Sequence, residues 1–322
     1  MKKVIIFDTS MASLNKGDEI IMNSAESVLD DIIKDSFIVK MPTHTPAFHF
    51  YQTHNKNPKV KLLNAADYKF ICGTNLLYTN MIRPWPNWNI NIFNCKPLRN
   101  SILVGVGAGI NSEDINLYTK QLYRKVLSNK YIHSVRDNKT KELLESIGLK
   151  AVNTGCATLW SLDPEFCKQI PKDKSDAVVF TLTDYSKDMK NDQRLIDILK
   201  QNYSKIYFWP QGLRDYDYFL QFNNIKDISI LAPSVQAFSN ILKTEIDYIG
   251  TRLHGGIFAM KHKKRSIIIT VDYRAREMNK TYSLNCIERD NLEILPQMIN
   301  SEFKTQVNLD YEKINMWKKQ FE

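Results

Sequence analysis

The sequence predicts an α/β fold with two doubly wound sheets, and three observations predict it. Short apolar runs alternate with stretches of helical periodicity almost from end to end. The runs are apolar on both faces, as parallel strands covered by helices on each side must be. A polar segment with two prolines, PEFCKQIPKDKSD at 164–176, interrupts the alternation near the middle and reads as a linker.

The elements follow in order. VIIF (4–7) reads as the first strand, and Ile20, Ile21, Ala25, Val28, Leu29 and Ile32 keep the three-to-four spacing of a helix after it. FIVKM (37–41), YKFIC (68–72), ILVGV (102–106) and YIHSV (131–135) read as further strands, with a helix at about 113–128 between the last two. ELLESIGLKAVNT supplies a helix, a stop at Gly148 and another short strand. The second series has strands AVVFTLT (177–183), KIYFWP (205–210), ISIL (228–231), DYIG (247–250) and SIIITV (266–271). Helices fit at about 190–202, 234–243, 254–262 and 289–301. The tail, with Tyr311, Ile314 and Trp317 on one face, is expected to dock back on the first domain. The expected domains are 1–165, 166–305 and a C-terminal helix at 306–322.

One stretch resists this scheme. GTNLLYTNMIRPWPNWNINIFNCKPLRNS, 73–101, is too long for an ordinary connection and rich in aromatics, proline and asparagine. A sugar-stacking loop, with Trp85 and Trp88 as acceptor contacts, is one reading; an apolar flap packed on its own domain is the other.

The 44 basic and 35 acidic residues give a formal charge of +9, which favours anionic partners. The lysines are scattered, and the densest basic cluster, KHKKR at 261–265, is short, so nucleic acid is not the expected partner. MKKVIIFD reads as a strand rather than a secretion signal, and no apolar run approaches the roughly 20 residues that a bilayer span needs. The five cysteines have no CxxC spacing, so neither a zinc site nor a disulfide framework is expected, and a reducing compartment fits. The expected location is the cytoplasm, with peripheral contact at the inner face of the cell membrane. P-loop, zinc-protease and serine-hydrolase motifs are absent.

In open α/β sheets ligands bind beyond the carboxyl ends of the strands. NKGDE (15–19), GTN (73–75), GAGIN (107–111), RDN (136–138), PQGLRD (210–215), TRLHGG (251–256) and VDYRAR (271–276) all stand at such turns, and are expected to converge on one cleft. TRLHGG delivers Arg252 and His254 to the start of a helix, whose free N–H groups already favour an anion. Arg supplies a planar fork for carboxylate or phosphate, and His supplies a donor that can also move a proton. Gly255 and Gly256 permit close approach of backbone or ligand. The competing reading pairs Arg252 with a nearby carboxylate and uses the glycines for packing. Asp18, at a predicted helix start, suits a base or an orienter rather than an acid; it also reads as a plain cap. Arg136–Asp137 opens another helix, as an anion contact or as a structural ion pair. GVGAG (105–109) is a weak match to a dinucleotide fingerprint and reads as a tight turn.

These pieces, taken together, resemble the polysaccharide pyruvyl transferase family. NKGDE is similar to that family's Asn-x-Gly-Asp opening, ICGTNLL to its strand-plus-glycine segment and GVGAGI to its glycine turn. SVRDNKTKELLESIGLKAVNTGCATLW resembles its Arg-Asp helix and following strand, and TRLHGGIFAMKHKKRSIII its Arg-Leu-His signature. The resemblance implies two Rossmann-like domains facing a cleft, like the B-type glycosyltransferases, with the acceptor on the first domain and the donor on the second. It implies transfer of a pyruvyl group from phosphoenolpyruvate to a sugar of a cell-surface polysaccharide or its lipid-linked precursor, leaving a cyclic ketal and phosphate. Carried over, Arg252 and His254 would hold the donor, with Arg136, Gly255 and Arg274 as further contacts. Asn15, Gly17 and Asn75 would join Trp85 and Trp88 on the acceptor side. His254, Arg252 and Asp18 are the candidate catalytic groups. No metal and no cofactor enter this scheme. The chain departs from the family where VDYRAREM offers Arg274 and Arg276 in place of a lysine, and where CATLW (156–160) replaces an Asp-Pro. Two other readings stand beside it: a nucleotide-sugar-dependent glycosyltransferase of the same architecture, and a non-catalytic glycan- or nucleic-acid-binding protein.

Overall fold

The computed structural model describes residues 1–82, 86–109, 112 and 114–322. The chain divides into two compact units. Unit 1 comprises Met1–Ser13, Ile21–Trp160 and Asp310–Glu322, and unit 2 comprises Leu14–Ile20 and Ser161–Leu309. The NKGDE segment therefore groups with the second unit, where the sequence had placed it in the first.

Unit 1 holds strands β1 (Lys2–Asp8), β2 (Ser36–Pro42), β3 (Tyr68–Cys72), β4 (Asn75–Tyr78), β5 (Ile102–Val104), β6 (Gly107–Gly109), β7 (His133–Val135) and β8 (Ala151–Asn153). Its helices are α1 (Lys16–Ile33, entered from the unit 2 segment), α2 (Pro58–Asn64), α3 (Leu117–Val126) and α4 (Asn138–Ser146). The main sheet is parallel in the order β2-β1-β3-β5, and a bridge from Val106 to Val135 leads on to the β7-β8 pair. This is the doubly wound order that runs outward from the second strand. One face packs Ile5, Phe7, Ile71, Leu103 and Trp88, and the other packs Val4, Ile6, Phe70 and Val104.

Unit 2 begins with α5 (Pro164–Cys167) and holds β9 (Ala177–Thr181), β10 (Lys205–Phe208), β11 (Ser229–Ile230), β12 (Asp247–Gly250), β13 (Ser266–Thr270) and β14 (Cys286–Glu288). Its other helices are α6 (Met189–Asn202), α7 (Asp215–Phe219), α8 (Val235–Ile241), α9 (Leu253–Lys261), α10 (Tyr273–Tyr282) and α11 (Leu295–Asn300). The sheet is parallel throughout, in the order β11-β10-β9-β12-β13-β14. Counted from β9 this is 3-2-1-4-5-6, the mononucleotide-binding order, with its switch point between β9 and β12.

The last helix, α12 (Tyr311–Lys319), belongs to unit 1. The Trp317 indole donates to the Ile132 carbonyl at 2.8 Å, and its ring meets Trp160 edge-on. Phe321 packs against Tyr68, Phe70 and Tyr131.

The structure adds elements that the sequence did not reveal. The glycine-rich GAG pairs with β4 as a strand, because parallel pairing is a main-chain property that needs no side chain. α10 has polar residues on most of its surface and so shows little apolar stripe; Asp272 caps it by accepting from the Ala275 N–H at 2.8 Å. The helix expected at 289–301 is a 3-10 turn, Arg289–Ile294, followed by α11. All five cysteines are free thiols. Among the described residues, no helix is long and apolar enough to cross a membrane.

Candidate active site

The switch point of unit 2 is built by close approach of two strand ends. Thr181 of β9 lies opposite Gly250 of β12, where an added Cβ would stand 2.6 Å from the Thr181 nitrogen, so only glycine fits. The chain then turns into α9. The Arg252 N–H donates to Thr181 Oγ1 at 3.2 Å, and the Arg252 carbonyl accepts from the Tyr248 hydroxyl at 2.7 Å. Arg252 thus takes the N-cap position with its backbone already held, and His254 falls in the first turn, 4% exposed. Gly255 is equally constrained: a Cβ there would meet the Tyr248 hydroxyl at 2.9 Å.

The Arg252 side chain turns into a nest of carboxylates. Its Nε donates to Asp215 Oδ2 at 3.0 Å and to the Leu182 carbonyl at 3.2 Å. Its Nη2 bonds to Asp215 Oδ1 and donates to Asp184 Oδ1 at 3.0 Å. The guanidinium also lies over the Tyr185 ring, 4.9 Å from its centroid. Asp215 is fully buried and accepts from the N–H groups of Gln211, Gly212 and Asp184 as well. Burial pushes its carboxyl up, while Arg252 and these N–H groups pull it back. Against the cost of burial, Asp215 holds the Arg252 guanidinium above its ordinary value, so this cation is permanent. The carboxylate-pairing reading of Arg252 is thus realised in geometry. Asp184, 18% exposed at its side chain, is the partner nearest to water.

A second cation stands at the end of β13. Arg274 Nη2 donates to Asp272 Oδ2 at 3.0 Å and to the Tyr185 hydroxyl at 3.1 Å, and its Nε has no partner among the described residues. Despite burial, Arg274 holds the Asp272 carboxyl below its ordinary value, while burial pushes the Tyr185 phenol up. Asp18 contributes to holding Arg274 protonated. Arg276, in contrast, pairs with Glu288 on the surface.

The NKGDE segment joins this site through amides. Gln211 Nε2 donates to Asn15 Oδ1 at 2.9 Å, the Lys16 N–H donates to the Gln211 carbonyl at 2.9 Å, and Asn15 bridges Gly212. Asn15 Oδ1 also accepts from the Gly17 N–H at 3.1 Å, so Asn15 supplies the capping bond of α1. Asp18, expected as the cap, lies inside the first turn and is 6% exposed. Gln211 is 3% exposed, and its Oε1 has no partner among the described residues. Gln211, Asp215 and Asp184 were not singled out from sequence. The turn PQGLRD was flagged, but nothing local marks which of its residues meets Arg252.

Unit 1 brings two further candidates together. Arg136, 5% exposed, bonds through Nη2 to Asn75 Oδ1 and lies against Gly107. Asp137 caps α4 by accepting from Thr140 N–H at 2.7 Å and stands 3.6 Å from Arg136 Nε. Trp88 is a correction. It is 1% exposed and stacks on Tyr123 in the unit 1 core, so no sugar reaches its face; the packed-flap reading holds at this position. Trp85 lies outside the described residues. Among those residues no cluster of three or more His, Cys, Asp or Glu is arranged to hold a metal.

A family profile described as Polysaccharide pyruvyl transferase matches residues 15–273, a range that runs from NKGDE through TRLHGG and ends just before Arg274. The chain belongs to that family. As a member it is an enzyme, and the family's activity is pyruvyl transfer to polysaccharide. A search of curated proteins returns no match. Among solved structures, S. aureus MnaA in its UDP co-structure aligns with a TM-score of 0.50 at 12% identity, covering 94% of this chain and 92% of that one. Methanocaldococcus jannaschii UDP-GlcNAc 2-epimerase, in complex with UDP-GlcNAc and UDP, aligns at 0.49 and 13%, covering 99% of each chain. The likeness to MnaA agrees with the glycosyltransferase B-like class of two Rossmann-like sheets.

Proposed function

We propose that this pyruvyl transferase takes phosphoenolpyruvate as donor at the β9–β12 switch point and forms a cyclic ketal on two hydroxyls of a glycan sugar. The observation that carries the reading is that Arg252, at the start of α9 with His254 in its first turn, and Arg274 of α10 both contact Tyr185. The donor brings about two negative charges on phosphate and one on carboxylate, and it needs fixed cations in a desolvated site. Arg274 offers an N–H that no described residue uses. Arg252 engages the donor by exchanging Asp184 for a substrate oxygen while Asp215 keeps the guanidinium in place.

The chemistry follows from the donor. A proton adds to the methylene carbon of the enol and leaves a cationic carbon at the position bearing phosphate. One sugar hydroxyl attacks that carbon and loses its proton; a second hydroxyl then displaces inorganic phosphate, which carries off that hydroxyl's proton, and closes the ring. His254 is assigned to the proton or to the phosphate, and Asp18 to the proton lost by the hydroxyl. The reaction is read as cytoplasmic, on a glycan or its lipid-linked precursor, with no metal among the groups invoked. Inorganic phosphate released from phosphoenolpyruvate in the presence of glycans tests this, with His254→Ala as the control. Release that is dependent on glycan and lost in the variant supports the reading. Thermal stabilisation by UDP, CMP or GDP but not by phosphoenolpyruvate overturns it in favour of a nucleotide-sugar donor.

A further inference from the structure

We propose that a groove on unit 1, between the segments 46–51 and 91–94, is a subsite for a neutral pyranose ring of the acceptor glycan. The proposal rests on the transferase reading above and adds to it where the acceptor is gripped. The cavity measures about 410 Å³, within the range of small-ligand sites. It is lined by Phe50 and Phe93, which are 69% and 71% exposed, and by the buried Phe48. Two largely exposed phenyl rings lining one concavity offer apolar faces to a ligand. The face of a sugar ring presents C–H groups that suit such rings.

Polar groups complete the site. The side-chain Oδ1 of Asn91 accepts from the N–H groups of Phe93 and Asn94 at 2.9 and 3.2 Å. The side-chain Oδ1 of Asn94 accepts from the Asn91 N–H at 2.8 Å. These bonds fix which end of each carboxamide is oxygen, and they leave both NH2 groups without a partner among the described residues. Asn94 is 6% exposed, so its unused donors are held in place rather than adrift in solvent. His49, stacked on Tyr51 at 5.5 Å, lies at the rim with a further ring nitrogen. Among the described residues, no Lys, Arg, Asp or Glu lines the cavity. A neutral polyol meets this chemistry; a phosphate or an anionic lipid headgroup does not.

The test uses the full-length protein without donor. Saturation-transfer NMR is run with methyl glycosides of glucose, galactose, mannose and their N-acetylamino counterparts. At least one glycoside should receive saturation, and Phe50→Ala and Phe93→Ala should each weaken its binding by at least about fivefold. Asn94→Asp keeps the carbonyl that holds the loop and removes the donors, and should do the same. Because both rings are exposed, the Phe variants should keep the wild-type melting temperature and phosphoenolpyruvate response. Sugar binding unchanged in the Phe variants overturns the proposal, as does binding of wild-type protein to phosphatidylglycerol vesicles through Phe93 with no glycoside bound. Phosphate release with wild-type acceptor KM in both variants removes the groove and leaves the transferase reading standing. Glycoside binding through Phe50 and Phe93 in a protein that releases no phosphate does the reverse.

Discussion

Unit 2 buries two Arg–Asp pairs, one at each edge of the same sheet, and they are closed in different ways. At the amino edge, Arg265 bonds Asp247 at 3.1 Å and gives its remaining donors to the carbonyls of Lys172, Met298, Ile299 and Ser301. At the carboxyl edge, Arg252 bonds Asp215 and completes its shell with the Asp184 carboxylate and the Tyr185 ring. Main-chain carbonyls at the end of α11 and in the linker are fixed by the backbone and are not exchanged for a ligand, whereas a partly exposed side chain can be. The first pair is therefore a fixture of the fold, and the second is a fixture with one exchangeable corner. Burial alone would not separate them, since both arginines are at most 4% exposed.

The sharpest break between the two is expected from truncation. Arg252→Ala should reduce phosphate release by about 10²–10³-fold and also destabilise unit 2, because the buried Asp215 is left without its cation. Arg265→Ala should cost about 3–5 kcal/mol in urea unfolding for the same reason, with kcat per folded molecule unchanged. A lowered kcat in folded Arg265→Ala would erase the distinction.

A buried base in unit 1 supplies a contrast without an ion pair. His133 accepts the Leu103 N–H at Nδ1 and faces the Ser128 carbonyl with Nε2, and burial pushes its pKa down to about 4. Its folded value lies below the unfolded one near 6.5, so its contribution is complete above about pH 6.5 and is lost as pH falls toward 4. The loss is at most roughly 3 kcal/mol, and His133→Gln should flatten the pH dependence of unfolding over that window. The smallest effect is expected at the exchangeable corner. Asp184→Asn removes the charge that competes with the donor, and should lower the phosphoenolpyruvate KM by about three- to tenfold while leaving stability within about 1 kcal/mol. A raised KM would make Asp184 a support rather than a competitor.

Much of this was legible in the sequence. Short doubly apolar runs announced parallel strands, and the rule that ligands gather at strand ends singles out TRLHGG from sequence alone. What stayed hidden was partnership across distance. Asp215 lies 37 positions from Arg252 and Asp184 lies 68, and no periodicity connects them. Trp88 misled because a tryptophan among prolines and asparagines looks the same on a binding loop as in a flap. Only its stacking on Tyr123 decides. The exposed Phe50 and Phe93 carry no local signal at all, since they come to line one groove from segments some forty positions apart in a folded unit.

The placement of α12 has a consequence for biosynthesis. Ile314, Trp317 and Phe321 fill one layer of the core of unit 1, yet the ribosome reaches them only after all of Ser161–Leu309 has been translated. Until then the nascent chain carries Tyr68, Phe70, Tyr131 and Trp160 with their covering helix still unmade, a surface on which chaperones or other nascent chains would gather.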